Sequence, residues 1–168
     1  MADLMSNAPS MARHVLRGRL EAVAAAEGAL GFSLPREACR SASLNGRPHA
    51  LWLGPDEWLI LSALDAGLGD RLEAAMGAHP HSLVEVTDRQ IGLVIIGPEA
   101  EAVLSVGCPL DLDQAAFPVG MCTRTVLSKA EIVLWRTGPE TFHLDVWRSF
   151  GAYLRAFLTA SAVVPVAD

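Results

Sequence analysis

A chain of 168 residues carrying 19 acidic and 13 basic side chains, net charge −6, lacks the concentrated positive field that nucleic-acid phosphates require. Apolar residues make up 51% of it, but no apolar run approaches the roughly 20 residues that cross a bilayer. The length fits one soluble domain with a single core, and the apolar richness leaves surface to share with another chain.

Residues 1–14, holding Ser, Asn, Pro and three Met, are predicted to be a flexible leader without the pattern of a secretion signal. A single α+β domain is expected over 15–162, followed by a tail at 163–168. Leu20, Val23, Ala24 and Leu30 give a helix, which Gly31 closes and Pro35 keeps from continuing. The stretch 41–48, with Asn45-Gly46, reads as a turn-rich connection. Residues 50–53 and 58–61 then form a hairpin around Gly54-Pro55. Leu68, Leu72, Ala75 and Met76 mark a second helix, and strands are expected at 82–87 and 90–96.

Gly97-Pro98-Glu99 opens a third helix, since proline suits the first helical position and acids favour its amino end. Residues 108–120 read as loop, held by Pro109 and Pro118. Residues 122–127, 131–136 and 142–147 read as three antiparallel strands. Ser149 is the expected N-cap of a last helix, whose stripe of Phe150, Leu154, Phe157 and Leu158 faces the sheet. Gly-Pro-acid turns recur at Gly54, Gly97 and Gly138. The first and third join strand to strand and the second joins strand to helix, so a stacked solenoid is rejected, while a pseudo-duplicated sheet-and-helix plan stays open. The predicted fold class is α+β, an antiparallel or mixed sheet with helices mainly on one face.

The candidate chemistry is sparse. Cys39, Cys108 and Cys122 form neither a CxxC pair nor an even set, which predicts free thiols in a reducing cytoplasm. Cys108 follows a helix carboxyl end, where the dipole disfavours a thiolate. His79-Pro80-His81 supplies two imidazoles without a third ligand nearby. Asp111 and Asp113 are expected to cap backbone amides rather than converge on one substrate atom. Asp88-Arg89 sits at a strand end, as a surface ion pair or as a fork for a carboxylate ligand or partner subunit. Trp52, Trp58, Trp135 and Trp147 are placed on strands, where an exposed one would mark an interface. Arginine supplies twelve of the thirteen basic residues and is scattered along the chain; Lys129 is the single lysine. No dinucleotide fingerprint of the Gly-x-Gly-x-x-Gly kind is present.

Several stretches, in this order and spacing, resemble the gamma-subunit family of heterotetrameric sarcosine oxidase. They are Ala50-Leu51-Trp52-Leu53-Gly54-Pro55-Asp56-Glu57-Trp58-Leu59, Val86-Thr87-Asp88-Arg89-Gln90, Gly107-Cys108-Pro109-Leu110-Asp111-Leu112, Phe117-Pro118 and Leu134-Trp135-Arg136-Thr137-Gly138. More remotely, Gly97-Pro98-Glu99-Ala100, the Asp-containing loop and Gly120 resemble the folate-binding domain of glycine-cleavage aminomethyltransferases, which implies ferredoxin-like units. That second family carries a Gly-rich hairpin ending in paired acids. Here Ser128-Lys129-Ala130-Glu131 stands instead, so no catalytic, cofactor-binding or metal residue is carried over.

The resemblance implies a non-catalytic cytoplasmic subunit that helps assemble and stabilise an oxidase converting sarcosine to glycine with hydrogen peroxide. The implied partners are alpha, beta and delta subunits, with FAD, FMN, NAD and tetrahydrofolate held by them and none by this chain. No nucleic-acid or membrane partner is expected. The alternative is a stand-alone folate-binding or aminomethyltransferase-like protein, with a pocket near Asp111, Glu131 or Arg136.

Overall fold

The computed structural model describes residues 4–64 and 66–162. Runs of strand-forming residues, each ended by a turn, build two five-stranded sheets in which every pairing is antiparallel. The chain divides into two compact units where the sequence predicts one domain. One unit is formed by 1–9 with 88–168 and the other by 10–87. The division is invisible to composition because the first unit draws on both ends of the chain.

The unit of residues 10–87 contains β2 (Ala12–Gly18), α1 (Leu20–Leu30), β3 (Ser41–Ser43), β4 (His49–Gly54), β5 (Glu57–Ser62), α2 (Leu68–Met76) and β6 (His81–Glu85). Its sheet runs β3-β4-β5-β2-β6. Gly31 takes the predicted left-handed conformation, φ 81°, and its amide bonds the Glu27 carbonyl at 2.8 Å, ending α1. Val23, Ala26 and Leu30 of α1 join Leu68, Leu72 and Met76 of α2 against Leu16, Ala50, Trp58 and Ile60, so both helices pack on one face of this sheet.

The other unit contains β1 (Met5–Asn7), β7 (Gln90–Ile96), α3 (Ala100–Ser105), β8 (Cys122–Leu127), β9 (Ala130–Gly138), β10 (Thr141–Trp147) and α4 (Gly151–Ser161). Its sheet runs β1-β7-β10-β9-β8. Leu93, Ile95, Ile132, Leu134, Phe142, Leu144 and Val146 meet Val103, Leu104, Leu154 and Leu158, which again puts the helices on one face.

The two sheets share one plan. With β3 and β8 set aside as extra edge strands, β4-β5-β2-β6 and β9-β10-β7-β1 have matching orders around matching helices, the βαββαβ ferredoxin-like arrangement. The Gly54 and Gly138 turns occupy equivalent β4–β5 and β9–β10 hairpins, whereas the Gly97 turn leads from β7 toward α3. The fourth strand follows its helix in sequence in one unit (α2 to β6). In the other it comes from the amino end, as β1.

Of the predicted leader, residues 4–14 are not free: Met5–Asn7 pairs with Leu93–Ile95, and β2 already begins at Ala12. Residues 1–3 and the tail at 163–168 lie outside the described residues. Ser149 does not cap α4. It lies in a 3₁₀ turn, Arg148–Phe150, from which α4 continues with Phe150 at the N-cap and no side-chain cap bond. Phe150 is exposed, and Gly151 and Ser161 join Leu154 and Leu158 on the buried stripe. Residues 41–48, predicted as connection, include β3, and α3 begins at Ala100 rather than at Pro98.

Candidate functional site

Arg136 lies near the end of β9, on the helix-facing side of the sheet, directly opposite Phe142 of β10. The residue is 3% exposed. Burial of a guanidinium is tolerable only when its donors find acceptors. Nη1 donates to the carbonyls of Leu112 (2.8 Å) and Phe117 (3.0 Å), Nη2 and Nε donate to that of Pro139 (2.5 and 3.2 Å), and Nη2 also reaches Glu101 Oε2 at 3.4 Å. Its Cζ lies 4.8 Å from the Phe142 ring centroid. The Arg136 carbonyl accepts the Gly120 amide at 2.8 Å, and its own amide donates to Met121. The side chain is thus a brace that fixes the 108–120 loop to β9, with its donors turned inward to the chain.

The other candidates near that loop do not converge with it. Asp111 and Asp113 accept from the amides of Asp113 (3.0 Å) and Ala115 (2.8 Å), which is the backbone capping expected of them. Glu131 stands five residues before Arg136 on β9, hence on the opposite face. It is largely exposed and lies 3.9 Å from Arg124 Nε across the β8–β9 pair. Glu131 and Arg136 therefore do not face one another. The Ser128-Lys129-Ala130-Glu131 turn supplies one acid where paired acids would be required.

Cys108 and Cys122 are buried and Cys39 is partly buried, none of the three in a disulfide. Cys108 follows α3, its amide bonded to the Leu104 carbonyl at 2.9 Å. Among the described residues no group of three or more His, Cys, Asp or Glu side chains could hold a metal ion, and no helix is long and apolar enough to cross a membrane.

Trp58 is buried and donates Nε1–H to the Pro35 carbonyl at 2.9 Å, whereas Trp52 and Trp135 are partly buried. Trp147 is exposed, with the Arg89 guanidinium 5.3 Å from its ring centroid. Arg148 Nε donates to the Asp88 carbonyl at 2.8 Å, and the Arg148 amide to that of Arg89.

One buried polar pair escaped sequence reasoning. His143 Nε2 lies 3.2 Å from Asp145 Oδ2 on β10, and the Trp135 ring meets the imidazole edge-on at a centroid distance of 6.0 Å. Both side chains are buried on the face turned away from α3 and α4. Their i, i+2 spacing inside a strand was the available signal, because it places both on one face.

His81 points its two ring nitrogens at two oxygens, Nδ1 to the His79 carbonyl (2.6 Å) and Nε2 to Glu73 Oε2 (3.2 Å). Only the imidazolium can donate to both. The His79 carbonyl first, and then Glu73, raise its pKa above 6.5 in the folded chain against an opposing desolvation. A raised folded pKa stabilises fully below about 6.5, and the gain is lost as pH climbs through the folded value. His81→Gln should therefore destabilise more at pH near 5.5 than near 8.5. The difference stays under about 1 kcal/mol, because the Glu73 carboxylate is largely exposed, in urea titrations of both proteins. A gap independent of pH would refute this assignment.

The profile of the sarcosine oxidase, gamma subunit family matches residues 19–163. This chain belongs to that family. The family's sarcosine oxidase subunit gamma from Arthrobacter sp is 36% identical over 121 residues, covering 72% of this chain and 60% of that protein. The subunit gamma from Corynebacterium sp. strain P-1 is 35% identical over 127 residues, covering 76% of this chain and 63% of that protein. The matches thus span less than two thirds of these relatives' length.

Among solved structures, heterotetrameric sarcosine oxidase from Corynebacterium sp. U-96, in complex with pyrrole 2-carboxylate, contains a chain similar at TM-score 0.87 and 28% identity. The match covers 97% of this chain and 87% of that one. Glycine cleavage system aminomethyltransferase T from Bartonella henselae matches 94% of this chain and 45% of its own at TM-score 0.72 and 17% identity, a likeness of fold. The predicted fold class, ferredoxin-like units as in the aminomethyltransferase folate-binding domain, agrees with both matches.

Proposed function

We propose that this chain is a non-catalytic gamma subunit of a heterotetrameric sarcosine oxidase, serving assembly and stability while partner chains oxidise sarcosine to glycine with release of hydrogen peroxide. Alpha, beta and delta subunits would complete the tetramer, with FAD, FMN, NAD and tetrahydrofolate carried by them. Three cysteines outside any disulfide support a reducing, cytoplasmic setting, and the net charge of −6 favours protein over nucleic-acid partners.

The observation that carries this reading is the fate of Arg136. A residue that serves a substrate must keep a donor or acceptor turned toward it, yet this guanidinium is spent on the carbonyls of Leu112, Phe117 and Pro139. Asp111 and Asp113 are likewise engaged with local amides. Such side chains build shape.

Co-expression of the alpha, beta and delta chains with and without this one tests the proposal. Omission should lower the yield of intact oxidase and its turnover per cell, while the purified chain alone should neither turn over sarcosine nor bind tetrahydrofolate. Undiminished yield and turnover without the chain would overturn the proposal, and saturable micromolar folate binding would favour the stand-alone alternative.

A further inference from the structure

The chain contains two asparagines, Asn7 and Asn45, and the fold treats them in opposite ways. Asn45 is followed by Gly46 in the turn between β3 and β4. Both residues are exposed and both have left-handed backbones, φ 50° and 88°, as the two central positions of a type I′ turn require. One bond closes the turn, from the Arg47 amide to the Leu44 carbonyl at 3.1 Å, and the nearest rung of the ladder is Ser43 with His49. Among the described residues no hydrogen bond holds the Gly46 amide or the Asn45 side chain. A Cβ built on Gly46 would meet nothing within 4 Å beyond its chain neighbours, so the space beside it is open.

Asn7 is followed by Ala8 at the end of β1. Its Oδ1 accepts from Arg155 Nη2, and the Ala8 amide donates to the Gly92 carbonyl at 2.9 Å. The side chain and the following amide are both engaged there, whereas at Asn45 neither is.

We infer that Asn45 is a site of spontaneous modification, deamidating to aspartate and isoaspartate through attack of the Gly46 nitrogen. The Gly46 amide loses its proton to hydroxide and its nitrogen forms a bond to Asn45 Cγ. The Cγ–Nδ2 bond breaks, and Nδ2 takes a proton from water and leaves as ammonia. Water then opens the resulting five-membered imide. Addition at Cγ restores the normal backbone with an aspartate side chain. Addition at the Asn45 backbone carbonyl carbon breaks its bond to Gly46 and leaves the chain running through Cγ, as isoaspartate. Nothing is oxidised or reduced, and the co-reactant is water. The reacting groups are neighbours in one chain, so the step is intramolecular and needs only a rotation of the Asn45 backbone that brings nitrogen and Cγ together. Glycine eases the approach because no side chain screens its nitrogen. Either product adds a negative charge, and isoaspartate also adds a backbone carbon to the turn. The inference is independent of the proposed function.

The test keeps the purified full-length chain in buffer, samples it over days and reads tryptic peptides by mass spectrometry. The peptide beginning at Ser41 should gain the mass of an amide-to-acid exchange, and an isoaspartate-specific methyltransferase should label it. Conversion at Asn45 should run about tenfold or more faster than at Asn7, where ring closure must first break the Ala8 bond. It should be faster at pH 8.5 than at pH 6.5, since the attacking nitrogen must lose its proton. Asn45→Gly, which keeps the left-handed turn, should abolish both signals in that peptide without changing the circular dichroism.

Asn45 left intact over a period in which a synthetic peptide of residues 41–49 converts fully would overturn the inference, because the folded turn would then protect it. Conversion at Asn7 keeping pace with Asn45 would overturn it as well. So would a rate that climbs with the unfolded fraction in urea, since the chemistry would then belong to the unfolded chain and not to this turn.

Discussion

Arg136→Met should lower the unfolding free energy of the chain by about 3–5 kcal/mol, the scale for removing one side of a buried charged hydrogen-bond network. The stem of methionine fills much of the same space, so the loss comes from carbonyls rather than from a void. Leu112, Phe117 and Pro139 each surrender a charged donor, and a carbonyl stripped of its partner away from water costs about 1–3 kcal/mol. Arg136→Lys should recover only part of this, since an ammonium on a single stem cannot reach three carbonyls arranged around a planar fork.

Glu101→Gln supplies the contrast. That carboxylate is 3.4 Å away and substantially exposed, so its removal should cost less than about 1 kcal/mol. Hydrogen exchange adds a local readout: the Phe117 amide, bonded to Asp113, and the Gly120 amide, bonded to the Arg136 carbonyl, should lose protection first. Urea unfolding of Arg136→Met within about 1 kcal/mol of wild type would mean that the loop does not depend on this brace.

The same residue shows where sequence legibility stops. α1 at Leu20–Leu30, β7 at Gln90–Ile96 and β8 at Cys122–Leu127 have the expected bounds, because each is specified within itself by a periodic or continuous apolar run and a closing turn. β1 is different. Met5, Ser6 and Asn7 have no pattern of their own and become a strand only because β7 offers an edge more than 80 residues away. β2 was obscured for another reason: Arg13 and His14 are both buried, so the polar positions that normally mark the outer face of a strand fall inside.

The site was less legible than the fold for a related cause. A conspicuous arginine beside an aspartate loop reads equally as a ligand fork or as a brace. The choice depends on which carbonyls the folded chain brings near it, and Leu112 and Phe117 are 24 and 19 residues distant in sequence. The His143–Asp145 pair stands at polar positions of an apolar strand, and nothing local in the sequence marks those positions as buried. The Gly54 and Gly138 turns did carry the duplication. It was masked by Gly97, which shares their residues but not their place in the plan.

Trp58→Ala should be the most damaging single change in the unit of residues 10–87, at about 3–5 kcal/mol. The indole is 2% exposed, stands opposite Leu16 on one side and Trp52 on the other, and packs among Val23, Leu30, Leu72 and Met76. Its removal opens a cavity between sheet and helices that neighbouring strands and helices can close only in part. Trp58→Phe separates two contributions, because phenylalanine keeps most of the apolar contact but leaves the Pro35 carbonyl without its 2.9 Å donor. About 1–2 kcal/mol is expected for that variant.

Arg36, whose guanidinium lies 5.9 Å from the ring centroid, is substantially exposed, and its ion pair with Glu27 is partly wetted. Arg36→Ala should therefore cost under about 1 kcal/mol. The order Trp58→Ala, then Trp58→Phe, then Arg36→Ala follows from burial volume outweighing one hydrogen bond, and one hydrogen bond outweighing an exposed cation–ring contact. Denaturant titrations that placed Trp58→Phe level with Trp58→Ala would show instead that the indole N–H, and not the filled volume, holds this core.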